Sequence, residues 1–259
     1  MTLTDIKGLA FFDLDGTLLD QHSKITPEVA QAMAQLKENN IIPIIATGRT
    51  NLEIKEISAA AGIDSFITMN GQYVLFEGKE VANTIIPKET CRRLAEKTAE
   101  LNQEIGFYTP DAIRVSGHSE NTKNSYAFIH SDLPAIDGTY YEKRDLNMLL
   151  ILGQTDDEKY HAEFDELTFY RNGPYSIDVV SKGGSKGTGI KALINELDLE
   201  GVPTYGFGDG PNDIDLLKAC DNKIAMGNAI PELKELATHV TAKNTEGGIV
   251  QALKHFNLI

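Results

Sequence analysis

The sequence predicts an α/β protein: a sheet of parallel strands interleaved with helices, interrupted by a second, α+β unit. Three observations carry this. Short apolar runs alternate with amphipathic stretches of helical period at both ends of the chain. Three of those runs break off in a polar cluster just before a helix begins. Between residues 84 and 182 the pattern shifts to shorter strands in pairs, and then the alternation resumes. The predicted division is a core of 1–83 and 183–259 with an inserted unit, 84–182. A chain of 259 residues has room for one large core or two small ones.

In the first segment, "KGLAFFD" (7–13) is a near-continuous apolar strand, as expected where both sheet faces are covered. "TPEVAQAMAQLKENN" (26–40) is a helix: Thr26 caps it, Pro27 suits its first turn, and Val29, Met33 and Leu36 share a face. "IIPIIATGR" (41–49) is the next strand, with Pro43 acceptable only near a strand start or at a sheet edge. "NLEIKEISAAAG" (51–62) is a helix closed by Gly62, and "DSFITMNG" (64–71) is a short strand. "QYVLFEGKEVA" (72–82) reads as a hairpin turning at Glu77 and Gly78.

The inserted unit opens on a helix, 87–103, followed by strands around Phe107–Tyr108 and Ile113–Val115. "SGHSENTKNSY" (116–126) reads as a polar loop. "LNMLLILG" (146–153) is a strong strand, 156–164 a helix, and 167–181 a final strand pair. The α/β pattern returns with a helix over 186–201, a strand over 202–210, and a helix over 211–220 with Pro211 at its first position. A short strand and turn (222–229) and helices near 231–237 and 246–256 complete the chain. No repeat or low-complexity tract is present.

Composition narrows the partners. With 41% apolar and 24% charged residues the chain reads as an ordinary globular protein. Its net charge of −14 repels phosphate backbones and anionic lipid, so neither nucleic acid nor membrane is an expected partner. No apolar run approaches the roughly 20 residues needed to span a bilayer, and the N-terminus has no signal-peptide pattern. Cys91 and Cys220 are far apart, as in a reduced, cytoplasmic protein, and the six scattered histidines make no zinc motif. A small phosphorylated metabolite is compatible with this charge where cations gather locally at its site, and a monomer or homodimer is the expected form.

The polar clusters are Asp13-Leu14-Asp15, Thr47-Gly48-Arg49 and Gly208-Asp209-Gly210-Pro211-Asn212-Asp213. In an open parallel sheet the carboxyl ends of the strands share one edge, where ligands bind. Asp13, Asp15, Thr47, Asp209 and Asp213 are therefore expected to converge. Four carboxylates in one crevice would each have a raised pKa unless a cation neutralises them, and hard oxygen ligands select Mg²⁺ or Ca²⁺. The expected metal residues are Asp13, Asp15, Asp209 and Asp213. A carboxylate is also a nucleophile that can take a phosphoryl group. Lys186 in "GGSKGTG" would neutralise the transferring group, Thr47 and the Gly48 N–H would donate to its oxygens, and Asp15 would serve as acid and then base.

Taken singly, an Asp at a strand end is most often a cap or turn residue. "GGSKGTG" lacks the Walker order, and "GFGDGP" fails the dinucleotide spacing. The joint, ordered occurrence is what carries the reading.

"DLDGT", "TGR", "SKGTG" and "GDGPND" resemble the four ordered motifs of the haloacid dehalogenase superfamily of phosphohydrolases. "AMGNA" (225–229) and an insertion of about 100 residues between the second and third motifs resemble the Cof-like sugar-phosphatase branch. The resemblance implies a Rossmann-like parallel-sheet core with an inserted α+β cap of type IIB, also called C2B. It implies Asp13 as nucleophile and Mg²⁺ ligand, and Asp15 as acid/base that gives its backbone carbonyl to the metal. Thr47, Gly48 and Arg49 would bind the phosphoryl group, with Lys186 stabilising its charge and Asn212 touching it. Asp209 would be a further Mg²⁺ ligand, and Asp213 would orient Lys186 or a metal-bound water. The branch often reads "NDEDGV" where this chain has "NTEGGI" (244–249), so no role carries over to that loop. In the cap, which would control water access, Arg114, His118, Asn124 and Tyr126 are candidates for reading the rest of the substrate.

Three rivals remain at this point. A phosphomutase would use the same intermediate, and the motifs do not separate it from a phosphatase. A phosphoaspartate signalling receiver shares the residue types, but an acid two residues from the nucleophile favours turnover over a stored signal. A catalytically idle metabolite-binding protein would have no need of an intact motif set.

Overall fold

In the computed structural model, which describes residues 3–129, 131–171 and 173–259, the apolar run after Lys7 is strand β1 (Gly8–Phe12), with all five residues buried. Helix α1 (Pro27–Glu38) starts where the Thr26 hydroxyl accepts the Val29 N–H, with Pro27 in its first turn. Strand β2 (Ile41–Ala46) pairs with β1 in parallel. Helix α2 (Asn51–Ala61) opens on a capping box: the Thr50 hydroxyl accepts the Glu53 N–H, and the Glu53 carboxylate accepts the Thr50 N–H. Strand β3 is only Phe66–Thr68, shorter than the predicted 64–71. The reason is backbone handedness: Met69, Asn70 and Gly71 follow with φ of 50°, 52° and 91°. Strands β4 (Tyr73–Phe76) and β5 (Lys79–Asn83) then make the expected hairpin, with positive φ at both Glu77 and Gly78.

Pro43 departs from expectation. It is the third residue of β2, which has neighbours on both sides. Strand β3 reaches only Ile45 and Ala46 of β2. The Ile45 and Thr47 N–H groups bond toward that side, to the carbonyls of Ser65 and Ile67 at 3.1 and 2.8 Å. By the same alternation, the position where Pro43 lacks an N–H faces past the end of β3, so no ladder bond is lost.

The chain then enters a second unit: α3 (Lys88–Glu100), β6 (Glu104–Tyr108), β7 (Ile113–Val115), α4 (Glu120–Phe128), β8 (Ala135–Ile136), α5 (Tyr140–Lys143), β9 (Met148–Leu152), α6 (Asp157–Glu163), β10 (Leu167–Tyr170) and β11 (Ser176–Ser181). Asn172, within the predicted strand pair, lies outside the described residues. The sheet order is β10-β11-β9-β6-β7-β8, antiparallel throughout except for the β7–β8 pair. The polar loop expected over 116–126 is a correction: most of it is α4. Ser119 caps that helix by accepting the Thr122 N–H, and Thr122, Ser125 and Tyr126 form its buried side. A helix buried through hydroxyl-bearing residues has no apolar stripe to read.

The returning segment forms α7 (Lys186–Glu196), β12 (Thr204–Gly208), α8 (Ile214–Lys218), β13 (Asn222–Ala225), α9 (Pro231–Leu236), β14 (His239–Val240) and α10 (Gly248–His255). It completes an eight-stranded sheet of order β14-β13-β12-β1-β2-β3-β4-β5. From β14 to β3 every pairing is parallel, and β4 pairs with β3 antiparallel. Alternate residues of β1 feed two cores. Ala10 and Phe12 pack with α1, α2 and α10, whereas Leu9 and Phe11 pack with α7, α8 and α9. Helices therefore cover both faces, as the unbroken apolar strand requires.

By contact density the chain forms two compact units, Met1–Ala82 with Ser185–Ile259, and Asn83–Gly184. Among the described residues no helix is long and apolar enough to cross a membrane. Both cysteines are free and buried, and burial pushes the Cys91 thiol up to about 12.

Candidate active site

Strand β1 lies between β2 and β12, so the sheet's chain order reverses there. The segments leaving β1, β2 and β12 share one edge, the place where an open parallel sheet leaves a crevice. These are the segments that carry Asp13, Thr47 and Asp209.

Asp13 is the first residue past β1, and its N–H is held by the Phe207 carbonyl at 3.0 Å. Lys186 begins α7, where a second capping box formed by Ser185 and Thr188 fixes the helix start. Its ammonium donates to Asp13 Oδ1 at 2.5 Å and to Asp213 Oδ1 at 2.7 Å, with the lysine side chain fully buried. Asp213 closes the turn after β12: its Oδ2 accepts the N–H groups of Asp209 and Gly210, each at 2.9 Å. Asp209 accepts the Thr17 hydroxyl at 2.8 Å. One carboxylate oxygen from each of Asp13, Asp209 and Asp213 lies within 4.8 Å of the others.

The electrostatics follow from this crowding. Burial, then the Asp213 charge, hold the Asp13 carboxyl well above the usual range, and Lys186 pulls it part of the way back. Burial alone would lower Lys186, but the Asp13 and Asp213 carboxylates outweigh it, so the lysine is held as an ammonium. Burial raises Asp209 to about 6, against the Thr17 hydrogen bond and with the help of the Asp213 charge.

Thr47 is buried just past β2, and its Oγ1 accepts the Arg49 N–H at 3.2 Å, leaving the hydroxyl proton to donate elsewhere. Asn212 lies on the β12 turn, with its Nδ2 3.4 Å from Asn70 Oδ1. Asp15 does not join the three-carboxylate cluster. Its side chain is 57% exposed and is gripped in a fork by Arg49, Nε to Oδ2 at 2.9 Å and Nη2 to Oδ1 at 2.5 Å. Two residues expected in separate roles are thus one ion pair. The cause is local: after Asp13 the chain closes i→i+5 bonds, Leu18 N–H to Asp13 O and Leu19 N–H to Leu14 O, and Gly16 takes φ 82°. Gly16 is required there, because a Cβ would lie 2.3 Å from Asp209 Oδ2.

Two contributors went unread in the sequence. Thr17 was within a quoted motif but had no role, and its signal is simply a hydroxyl beside the nucleophile. The other is the left-handed Met69-Asn70-Gly71 turn, whose signal is the Asn-Gly pair. The Met69 and Asn70 N–H groups bond the carbonyls of Arg49 and Thr47 at 3.0 and 3.1 Å. Gly71 packs so closely on α7 that a Cβ would lie 2.0 Å from the Ser185 carbonyl oxygen. This strained turn therefore ties the β2, α7 and β12 segments together.

In the second unit, Tyr126 is buried with its hydroxyl 2.7 Å from that of Tyr108, so it is not presented to solvent. Arg114 bonds the Ile113 carbonyl and lies over the Tyr140 ring. His118 Nε2 is 2.8 Å from the Pro134 carbonyl, and Asn124 is exposed.

The donor set fits a hard divalent cation. When all three carboxylates are ionised they outnumber the one ammonium by two charges, which a divalent cation would balance, and the ligand atoms are all oxygens. Asp213 is the most committed of the three, with one oxygen on two N–H groups and the other on Lys186.

Residues 10–253 match the family described as haloacid dehalogenase-like hydrolase. YkrA of Bacillus subtilis (strain 168), a phosphatase by name, is 36% identical over 253 residues, covering 97% of this chain and 98% of YkrA. Among solved structures, a hypothetical protein from Geobacillus kaustophilus HTA426 is similar at a TM-score of 0.91 and 34% identity, covering 98% of this chain and all of that one. The sugar phosphatase BT4131, of HAD subclass IIB, is similar at a TM-score of 0.85 and 29% identity, covering 98% of this chain and 100% of that chain.

Proposed function

The chain belongs to the haloacid dehalogenase-like hydrolases and is a phosphatase, and from that premise we propose that it is Mg²⁺-dependent, hydrolysing small phosphorylated metabolites, sugar phosphates first and phosphorylated cofactors next, through an aspartyl-phosphate. The likeness to a subclass IIB sugar phosphatase supports the substrate class. The observation that carries the chemistry is the buried Lys186 ammonium shared by Asp13 and Asp213. It sets an ammonium 2.5 Å from Asp13 Oδ1 and draws that carboxyl part of the way back toward the charged form a nucleophile needs.

In this reading an Asp13 oxygen attacks phosphorus. The bond to the leaving oxygen breaks, and Asp15 gives that oxygen its proton. Asp15 then takes a proton from water, whose oxygen attacks the same phosphorus and frees Asp13 and inorganic phosphate. The Thr47 hydroxyl, the Gly48 N–H and Asn212 donate to the phosphoryl oxygens, and Arg49 adds charge beside them while gripping Asp15. Asp13, Asp209 and the Asp15 carbonyl would hold Mg²⁺, with Asp213 fixing the turn that carries Asp209. The cation, when bound, would neutralise charge on the phosphoryl group. Choice among substrates is assigned to residues of the second unit.

Phosphate release from p-nitrophenyl phosphate, with Mg²⁺ and with excess chelator, tests this in wild type and Asp13→Asn. Metal-dependent release that vanishes in the variant, with an unchanged melting temperature, is the expected result. Near wild-type turnover by Asp13→Asn would sink the mechanism. A stable phosphoprotein without turnover would instead favour a receiver.

A further inference from the structure

The loop that leaves β1 carries Asp13, Asp15 and Thr17, yet among the described residues its outer carbonyls are bonded by side chains from the far end of the chain. Asn228 Nδ2 donates to the Gly16 carbonyl at 2.8 Å. Asn244 Nδ2 donates to the Leu19 carbonyl at 2.8 Å. The two asparagines are joined, because the Asn244 N–H donates to Asn228 Oδ1 at 3.1 Å. Asn228 therefore donates with one end of its carboxamide and accepts with the other. Aspartate could accept but not donate, and alanine could do neither, so neither reproduces this pair of contacts.

The platform under the asparagines is itself tied down. The Gly227 N–H bonds the Ala242 carbonyl at 3.0 Å, and the Gly248 N–H bonds the Lys243 carbonyl at 3.1 Å. The Thr241 hydroxyl bonds the Gly248 carbonyl at 2.8 Å.

We propose that Asn228 and Asn244 act in series as positioning residues that hold the nucleophile loop, and through it Asp15, in place for proton transfer to the leaving group. The Gly16 carbonyl sits one residue past Asp15 and one before Thr17, so the Asn228 bond orients the peptide between the acid/base and the hydroxyl that holds Asp209. Misplacing the acid by a fraction of an ångström weakens proton donation while leaving Asp13 its own anchor on the Phe207 carbonyl. This rests on the acid/base assignment of Asp15 made above.

The test is a series of substituted phenyl phosphates, from p-nitrophenyl to p-methoxyphenyl, assayed as kcat/KM with Mg²⁺. That quantity reports the steps up to departure of the phenol, and the poorer the leaving group, the more it depends on a placed acid. Asn228→Ala and Asn228→Asp should each lose about 10-fold more on the poorest leaving group than on the best. Asn244→Ala should lose in the same direction. The double variant Asn228→Ala/Asn244→Ala should be no worse than the poorer single one, as expected of groups in series. Asp15→Asn is the reference and should show the steepest dependence, unchanged when Asn228→Ala is added. A wild-type dependence in both asparagine variants, beside a steepened Asp15→Asn, would overturn the clamp and leave the acid assignment standing. An unsteepened Asp15→Asn would overturn both. A lowered melting temperature with uniform loss across the series would reduce the asparagines to structural supports.

Discussion

Asp209 is lifted to about 6 by burial, against the Thr17 hydroxyl and with the Asp213 charge, from an ordinary value of 3.8. Between those values the folded, metal-free protein binds a proton that the unfolded chain has released. The contribution of this residue to stability is fully present below pH 3.8 and is lost as pH rises through about 6. Without metal, raising the pH from 5 to 7 should therefore cost the wild type about 1 kcal/mol relative to Asp209→Asn. Melting in chelator at the two pH values measures this, and Mg²⁺ should restore more stability at pH 7 than at pH 5. An equal gap between the proteins at both pH values would count against it. At this scale the carboxylates and Lys186 were legible from the joint, ordered occurrence of their clusters, not from any one of them. The fork between Asp15 and Arg49 was not, because it depends on the i→i+5 closure of the loop and on φ at Gly16.

The Met69-Asn70-Gly71 turn shows what an element contributes beyond its residues. It ends β3 early and abuts the start of α7, so the position of Lys186 depends on a backbone conformation set three residues past a strand. Gly71→Ala should destabilise the protein by about 2–4 kcal/mol, since φ is +91° and the added carbon would meet the Ser185 carbonyl. Urea unfolding measures the loss, and a change below about 0.5 kcal/mol would show that the backbone gives way freely. Elements with an apolar period were readable: β1, α1 and α2 appear where expected, with their caps. Helix α4 and strand β14 were not. The first buries hydroxyls in place of an apolar stripe, and the second has only two residues.

Across the whole molecule, the unit Asn83–Gly184 has its own core, in which Leu94, Phe107, Leu149, Ile151 and Val179 are buried together. A bridge between Ile86 and Leu146 ties its first residues to its central strand region. The segment 83–184 produced alone should therefore melt cooperatively. Circular dichroism against temperature checks this, and a broad, sloping transition would mean the core is incomplete without the remainder of the chain. The insertion itself was visible in the sequence as a change from helix-strand alternation to paired short strands.

The class of fold, the insertion and the four ordered motifs were all determined by the sequence, because apolar period and rare polar clusters at strand ends are local signals. Only the tertiary structure decided which carboxylates face one another. Asp13, Asp209 and Asp213 meet around Lys186 while Asp15 turns to Arg49, and two asparagines more than 200 residues away hold the loop between them. Side-chain direction in a turn is set by a few dihedral angles and by what packs behind them, and neither leaves a period in the chain.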